Sequence, residues 1–452
     1  MKVPIEVLAL RVWALAAGVA LWMPALMVPV AGLPFQPLDL IVPAGWPLIA
    51  AHVLRLPAGL MAVLLATLLS LGLSWLVSGG EAIVLAWTLA FAVPFVLLVG
   101  LAVAEKGACR GFLRGFLAGA GGSLALFALQ LLVGAEALDF RNNHAFRLPP
   151  QYGRGFALMP EVSTFAVHGI IALAALVPFA LAGAQGAVRH AVRHMARLLA
   201  LVLVIGLLFT RSTSLLVLMP PLTALALAKT TRASFNALLL TAIVMSGVGL
   251  LVVLFMQSFY VERLESASAE RSAAMRLASL IGGLSVLWGE EIFGVGVGRN
   301  DLVAHRAFEV ARMLGLSFGA LPEGVNAQLV GRIFEEGWPA TLGFAVAGLM
   351  LMSALRRARE PEDVALALVA AGSLMSAAIV VGYRGIYTNW LWLAIPAGLL
   401  ARWQAARRRA ASMKAGEAAS IEENLGALLA PGWRCPPCNG MRGGHDGAPT
   451  VG

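Results

Sequence analysis

Apolar segments of about 20 residues follow one another along almost the whole chain, separated by short connections that are often rich in arginine. A segment of that length crosses a bilayer as a helix, because only there does the backbone satisfy its own hydrogen bonds. Of the 452 residues, 60% are hydrophobic and 13% charged, and the mean hydropathy is +0.84. The hydrophobic core of a water-soluble domain of this length could not bury so much apolar surface. We therefore expect an all-α polytopic membrane protein.

The apolar segments predict about twelve transmembrane helices. They lie near residues 12–30, 37–54, 59–77, 82–104, 115–134, 164–185, 192–210, 213–230, 237–257, 338–355, 362–383 and 388–403. The second contains Pro43 and Pro47, and the pair flanking Arg211 could instead be one long helix. The first has no small-residue cleavage site, so we expect it to remain in the mature protein.

The basic residues alternate between connections. Clusters such as those at residues 106–114, 189–197 and 356–359 lie in every second connection, whereas the intervening short ones contain at most one arginine each. The positive-inside rule places the basic connections in the cytoplasm, with both termini. Separating the helices that flank Arg211 preserves this alternation. The net charge of +9 thus reflects topology, and no nucleic-acid partner is expected.

Two outer connections, residues 135–161 and 258–337, are much longer than the others, and loops of such length are usually functional or disordered. Apolar residues from Leu277 to Trp288 recur at helical spacing and predict an amphipathic helix in the second loop. The transmembrane domain covers residues 1–406. The polar, Gly- and Pro-rich tail, 407–452, is expected to be cytoplasmic and disordered. The role of its Cys435 and Cys438 stays open.

The second outer loop contains an ordered series of motifs. Arg276 heads the predicted amphipathic helix, the run Gly294-Val295-Gly296-Val297-Gly298 follows it, and Asn326-Ala327-Gln328-Leu329 precedes Glu335-Glu336-Gly337. This order and spacing resemble the outer loop of the O-antigen polymerase and ligase family.

Two further motifs resemble the same family. Met159-Pro160-Glu161-Val162-Ser163 is similar to its "E-P-S" element, and Thr210-Arg211-Ser212-Thr213-Ser214 to its Ser/Thr-Arg cluster. The resemblance implies a GT-C-like bundle in a bacterial inner membrane. It also implies a polyprenyl-diphosphate-linked oligosaccharide as donor on the periplasmic face, no cofactor or metal, and chain-length regulator and flippase proteins as possible partners besides membrane lipid. Val325 stands where ligases of the family, and many of its polymerases, have a histidine, and its absence favours a polymerase over a ligase.

Transfer from such a donor develops negative charge on the departing diphosphate, which cations stabilise. Arginine suits this role because its planar fork pairs with two phosphate oxygens. The outer connections contain no lysine, and their arginines include Arg141, Arg147, Arg154, Arg211, Arg263, Arg271, Arg276, Arg299, Arg306, Arg312 and Arg332. We assign Arg276 to the catalytic contact and Arg154, Arg211 and Arg299 to substrate binding.

The acceptor hydroxyl must lose a proton as it attacks, so a carboxylate or imidazole is needed nearby. Glu161 is the preferred base and His305 the second candidate. Asn326 is assigned to substrate binding, with capping of the helix that leads to Gly337 as the alternative. Asp39 is unassigned, since a charge near the outer end of a span can still reach water.

Several of these residues have a structural alternative. Glu161 could cap the sixth span, Arg276 could anchor its helix at the interface, and Arg211 could snorkel to the membrane surface. The glycine run is expected to form a tight turn that brings two backbones close together, because no strand precedes it. Glu335 is expected to fix the structure of the loop.

These observations favour a periplasmic-face glycosyltransferase that polymerises a lipid-linked oligosaccharide of the O-antigen or exopolysaccharide type. A ligase that passes the glycan to lipid A core or to a protein is the alternative within the class. A transporter or lipid-linked oligosaccharide flippase is the alternative from another class. Transporters place polar groups at mid-membrane depth, whereas this chain has few charges within its spans and concentrates its polar groups in one late outer loop.

Overall fold

The computed structural model describes residues 4–26, 28–30, 33–52, 56–140, 155–181, 187–210, 212, 214–231, 281, 285, 289, 291–313, 327–380 and 385–429. These residues are mostly α-helical, as predicted. One short β-hairpin, β1 (Val28–Val30) and β2 (Leu33–Phe35), pairs Val28 with Phe35.

The helices are numbered in chain order. They are α1 (Ile5–Ala20), α2 (Pro37–Ala44), α3 (Trp46–His52), α4 (Ala58–Ser78), α5 (Ala82–Trp87), α6 (Val93–Ala104), α7 (Lys106–Val133), α8 (Val162–Leu181), α9 (Ala187–Thr210), α10 (Ser214–Thr231), α11 (Asn300–Met313), α12 (Gln328–Arg357), α13 (Pro361–Met375) and α14 (Leu391–Leu429). A π-helical turn, Thr88–Ala92, joins α5 to α6, another, Ser376–Val380, follows α13, and a 3-10 turn, Tyr387–Trp390, precedes α14.

Seven helical segments in the described part of the chain are long and apolar enough to cross a membrane. They are Ala58–Ser78, Ala82–Ala104, Lys106–Val133, Val162–Leu181, His190–Thr210, Gln328–Arg357 and Pro361–Ala378. This supports a polytopic membrane protein. The predicted span at 237–257 lies outside the described residues, and the total of twelve stays a prediction.

The first two predicted spans differ from the structure. Helix α1 ends at Ala20 and leads into a turn and the hairpin. Residues 37–52 form two short helices that separate at Gly45. Pro47 has no N–H to donate to the carbonyl of Pro43, four residues earlier, so one continuous helix would lose a hydrogen bond there.

Two other boundaries agree with the sequence. The segments flanking Arg211 form separate helices, α9 and α10, as predicted. Helix α12 has a kink at Gly337, with φ 68° and ψ −150°, at the predicted end of the second outer loop. The first third of α12, up to Gly337, therefore belongs to the loop, and the rest is the apolar span.

The tail differs from the expected disorder. Helix α14 continues to Leu429, because the residues after Arg407 are rich in alanine and other strong helix formers. Residues 430–452 lie outside the described part. The chain divides into two compact units, Met1–Arg402 and Trp403–Gly452.

One end of the first unit gathers the basic connections. Arg11 Nη2 lies 3.0 Å from Glu105 Oε1, and Arg110 Nε lies 2.8 Å from Glu362 Oε1. Arg402 pairs with Asp363. We call this group the basic end.

The opposite end, the loop end, contains Gln130, the glycine run 294–298, Gly337 and the turn Tyr387–Trp390. A series of contacts joins these segments: Ala25 donates to the Leu158 carbonyl, Gln36 to Gly385, and Gly298 to Glu335. Along α7, about 30 Å separates Arg110 at the basic end from Gln130 at the loop end. That distance matches the hydrocarbon thickness of a bilayer.

Candidate functional site

The side-chain amide of Gln130 fixes the segment before α8. Gln130 is 1% exposed. Its Oε1 accepts the N–H groups of Phe156 (2.9 Å) and Ala157 (2.7 Å), and its Nε2 donates to the carbonyls of Leu138 (3.0 Å) and Ala157 (3.2 Å). These bonds hold Ala157 at φ 53°, a conformation that costs energy for a residue with a Cβ. The path that leads to Glu161 is therefore rigid.

Glu161, the predicted general base, directly precedes α8 and is partly exposed. Its carboxylate accepts a hydrogen bond from the Ser163 hydroxyl, and its carbonyl accepts the N–H of Phe165 at 3.2 Å. Phe165 stacks on Phe127 with ring centroids 4.6 Å apart, which fixes the start of the helix. A solvent-accessible carboxylate on rigid backbone can take a proton from an alcohol within reach.

The glycine run forms the predicted tight turn. Gly294, Gly296 and Gly298 have φ angles of 81°, 111° and 82°, which residues with a Cβ rarely adopt. A Cβ at Gly294 would lie 2.4 Å from the Glu335 carbonyl oxygen, and one at Gly296 would lie 2.8 Å from the Gly79 carbonyl oxygen. The turn is therefore inserted between the end of α4 and the kink of α12.

Backbone hydrogen bonds join the glycine turn to both neighbours. Val297 donates to Gly79 (3.2 Å), and Gly296 donates to Glu335 (3.1 Å). The Glu335 side chain, 1% exposed, accepts the N–H of Gly298 at 2.9 Å, and its carbonyl accepts the Ser74 hydroxyl at 2.7 Å. Glu335 thus fixes the structure of the loop, as predicted.

A buried ion pair lies beneath the turn. The Arg332 guanidinium donates to both carboxylate oxygens of Glu336, from Nε at 2.8 Å and from Nη2 at 3.0 Å. Ser70 adds a bond to Glu336 Oε2 at 2.7 Å. The Arg332 Cζ atom lies 4.6 Å from the Trp390 ring centroid and 4.7 Å from that of Phe344. With its fork paired and both faces covered, Arg332 stabilises the fold and does not reach a diphosphate.

The 3-10 turn contacts buried polar groups of two other segments. The Tyr387 hydroxyl donates to Asp39 Oδ1 at 2.6 Å, and Thr388 Oγ1 lies 2.6 Å from Nε2 of His168. Nδ1 of His168 faces the Thr164 carbonyl at 2.9 Å, so in the neutral imidazole Nε2 accepts from Thr388. Burial raises the pKa of Tyr387, and the Asp39 carboxylate raises it further.

Asp39 corrects a sequence interpretation. We expected a charge near the outer end of a span to reach water, but Asp39 is 7% exposed. Its carboxylate accepts the N–H of Gln36 at 3.1 Å, as well as the tyrosine hydroxyl. Because these donors replace water, the group can be buried at the start of α2.

The predicted site residues divide into two groups. Glu161, Arg299 and His305 are described. Arg299 directly precedes α11, His305 lies within α11, and both side chains are exposed. Within the described part of the chain, no hydrogen bond or ion pair joins Glu161 to Arg299 or His305. The other predicted residues, Arg154, Arg211, Arg276 and Asn326, lie outside the described residues, as does most of the predicted amphipathic helix.

Sequence reasoning missed Gln130, His168 and the role of Arg332. The spacing of Arg332 and Glu336, four residues apart, could have indicated an ion pair on one helix face. A histidine inside an apolar span was a similar signal, since such groups usually have a specific partner. Gln130 offered no sequence signal, because its partners lie in a distant segment.

The described residues contain no group of three or more His, Cys, Asp or Glu side chains that could hold a metal ion. The cavity next to Arg332 measures only about 10 Å³, too small for a substrate. Models of known protein families and curated protein sequences show no match to this chain.

Proposed function

We propose that this protein is a membrane glycosyltransferase with a GT-C-like bundle that polymerises a polyprenyl-diphosphate-linked oligosaccharide on the periplasmic face of the inner membrane. The observation that carries the proposal is the placement of Glu161. Its carboxylate is partly exposed on a backbone that Gln130 holds rigid. A base on rigid backbone keeps its orientation toward an acceptor without further ordering.

The separation of charges along the bundle supports the sidedness of this proposal. The basic connections meet at one end, and Glu161 and the glycine turn lie at the other. Under the positive-inside rule the basic end is cytoplasmic, which turns the loop end toward the periplasm. A lipid-linked glycan on the outer leaflet would then meet Glu161 directly.

Arg299 supplies a cation at the same end. It directly follows the glycine turn, whose three positive φ angles fix its backbone, and its side chain is exposed. Since Arg332 is occupied by Glu336, binding of the donor diphosphate falls to Arg299 together with the proposed Arg154, Arg211 and Arg276. The arginines hold the charge that develops on the leaving group.

The proposed reaction is a direct transfer. The acceptor hydroxyl forms a bond to the anomeric carbon of the donor as the bond from that carbon to the diphosphate oxygen breaks. The proton of the hydroxyl passes to Glu161, with His305 as the alternative base. The polyprenyl diphosphate leaves with the bonding electron pair, so no cofactor or oxidant is needed.

The test is complementation of a deletion strain with Glu161→Gln, followed by analysis of lipid-linked glycans. We expect single repeat units to accumulate, because the variant keeps the shape but cannot accept the proton. The matched control is Glu309→Gln, an exposed glutamate of α11, which should restore normal chain lengths. Normal chain lengths with Glu161→Gln would refute the assignment of the base.

The deletion strain itself separates the function classes. Single repeat units on the outer leaflet indicate a polymerase. Full-length chains that remain on the carrier indicate the ligase alternative, which the valine at position 325 disfavours. Substrate held on the inner leaflet indicates a flippase and would refute the proposed enzyme.

A further inference from the structure

A polar cavity of about 520 Å³ opens at the basic end. The ends of several helices and the connection between α12 and α13 form its wall. Its lining residues are Pro178, Leu181, Ala228, Lys229, Thr230, Arg356, Ala358, Arg359, Pro361 and Val364. Three of these residues are cationic and none is acidic.

The three cations have no carboxylate partner within the described part of the chain. No salt bridge at 4.0 Å or less involves Lys229, Arg356 or Arg359 there. The nearby acids of α13 are paired elsewhere, Glu362 with Arg110 and Asp363 with Arg402. Three like charges around one cavity repel each other unless an anion joins them.

The carboxyl end of α8 does not fill this role. The carbonyl of Ala180, in the last turn of α8, accepts hydrogen bonds from Arg193 Nε at 3.3 Å and Arg197 Nε at 3.1 Å. Those two arginines therefore neutralise the helix end. The excess charge of Lys229, Arg356 and Arg359 remains available to a ligand.

The position and walls of the cavity define the class of ligand. Lys229 lies in the last turn of α10 and Arg356 in the last turn of α12, the level at which a span meets lipid headgroups. Arginine forks and a lysine ammonium together bind phosphate oxygens, whereas Pro178, Leu181 and Val364 add an apolar wall. We propose that this cavity binds the phosphate group of an anionic ligand at the basic end of the bundle.

Two sources can supply that phosphate, a phospholipid headgroup from the adjacent leaflet or a soluble phosphate ester. The apolar wall suits a lipid glycerol better than a fully hydrated anion. The proposal is independent of the proposed glycosyl transfer, because its residues lie at the opposite end from Glu161.

The test measures binding to the purified full-length protein in a neutral detergent by native mass spectrometry. The probes are phosphatidylglycerol, phosphatidylcholine and the soluble ester glycerophosphoglycerol. We expect phosphatidylglycerol to bind at least tenfold more tightly than phosphatidylcholine. Each of Lys229→Gln, Arg356→Gln and Arg359→Gln should weaken that binding about fivefold to tenfold, since each removes a charged hydrogen bond.

Arg357→Gln is the matched control. Arg357 lies in the same basic connection and loses the same charge, but it does not line the cavity. The affinity of Arg357→Gln for phosphatidylglycerol should stay within about twofold of that of the unmodified protein, because a surface charge outside the cavity contributes little. Arg359→Lys, which keeps the charge, should recover most of the affinity lost in Arg359→Gln.

If glycerophosphoglycerol binds tightly and the same variants lose this binding, the result supports the site and identifies a soluble ester as the source of the phosphate. If only phosphatidylglycerol binds selectively, the result supports the site and identifies the lipid as the source of the phosphate. Equal affinity for the two lipids without binding of the soluble ester would overturn the proposal. So would an equal loss of affinity in Arg357→Gln and Arg359→Gln.

Discussion

At the residue scale, the most demanding group is the buried Arg332–Glu336 pair. Both side chains are at most 4% exposed, they form an ion pair with each other, and the Ser70 hydroxyl donates a further hydrogen bond to Glu336. Removing one partner of such a pair leaves the other charge buried without compensation. The stability of the fold around α12 therefore depends on this ion pair.

Glu336→Gln should therefore destabilise the protein by about 3 kcal/mol. The change keeps the size of the side chain, so the loss comes from the uncompensated guanidinium. Thermal unfolding of the detergent-solubilised protein measures it, with Glu309→Gln as the exposed control. A midpoint unchanged relative to that control would show that Arg332 has another anion.

The second residue-scale prediction concerns Gly337. Its φ of 68° is unfavourable for other residues, and a Cβ would lie 2.2 Å from the Ile292 carbonyl oxygen. Gly337→Ala should cost at least about 2 kcal/mol, because strain adds to a clash with backbone.

Gly348→Ala, in the same helix and with open space at the Cβ position, is the control. It should stabilise α12 slightly, by about 0.5 to 1 kcal/mol. Thermal unfolding compares the two alanine variants directly. Equal effects would mean that the kink does not require glycine.

At the element scale, the segment before α8 depends on one amide. Gln130→Leu removes two acceptor bonds and two donor bonds, among them those that the N–H groups of Phe156 and Ala157 make to the Gln130 side chain. We expect hydrogen exchange at 155–161 to accelerate at least tenfold, and glycan polymerisation to fall as Glu161 loses its orientation.

Leu132→Ala is the control for Gln130→Leu, since Leu132 lies on the same helix and is 82% exposed. In Leu132→Ala, the rate of hydrogen exchange at residues 155–161 should match that of the unmodified protein. Slow exchange in Gln130→Leu would show that other contacts fix the segment.

A pH dependence is expected where α1 meets α7. Burial raises the pKa of Glu105, but the Arg11 guanidinium and the amides of Ala108 and Gly107 outweigh it, so that the pKa lies below its ordinary value of 4.5. A carboxyl with a depressed pKa contributes stability above its unfolded pKa and loses it as the pH falls.

The protein is therefore expected to lose stability between pH 7 and pH 4, and Glu105→Gln should make this loss smaller. The comparison uses unfolding midpoints at the two pH values. An unchanged difference would exclude the Arg11–Glu105 contact as its source. The exposed Glu309→Gln variant controls for general charge effects.

Elements differ in how far the sequence predicts them. The glycine turn at 294–298, the kink at Gly337 and the break at Arg211 have local signals, namely glycine spacing and a polar interruption between apolar runs. The sequence also predicted the role of Glu335. The split of residues 37–52 into two helices was not predicted, although Pro47 inside the apolar run was a local signal for it.

The sequence does not show that Arg332, Asp39 and His168 each contact the turn Tyr387–Trp390, because that turn is distant from all three along the chain. Arg332 contacts Trp390, Asp39 contacts Tyr387 and His168 contacts Thr388. All these partners belong to one short turn that reads as an ordinary outer connection. Local patterns indicate which residues are polar, but the tertiary packing determines which of them remain exposed for chemistry.

At the scale of the whole molecule, charge and polarity separate along the bundle. The arginine-rich connections and their acidic partners meet at the basic end, whereas Glu161, the glycine turn and the exposed Arg299 lie at the loop end. This arrangement follows from the positive-inside rule if the loop end is periplasmic. The proposed reaction depends on that orientation, because its lipid-linked donor is expected on the outer leaflet.

Cysteine labelling with a membrane-impermeant maleimide in intact cells tests the orientation most directly. Cys435 and Cys438 are first replaced by serine, while Cys109 is kept because its side chain is buried. Met313→Cys in α11 or Met413→Cys in α14 is then introduced, and these two positions are 84% and 69% exposed. The account predicts that position 313 is labelled in intact cells and position 413 only after permeabilisation. The reverse pattern would place the loop end in the cytoplasm and contradict the proposed enzyme.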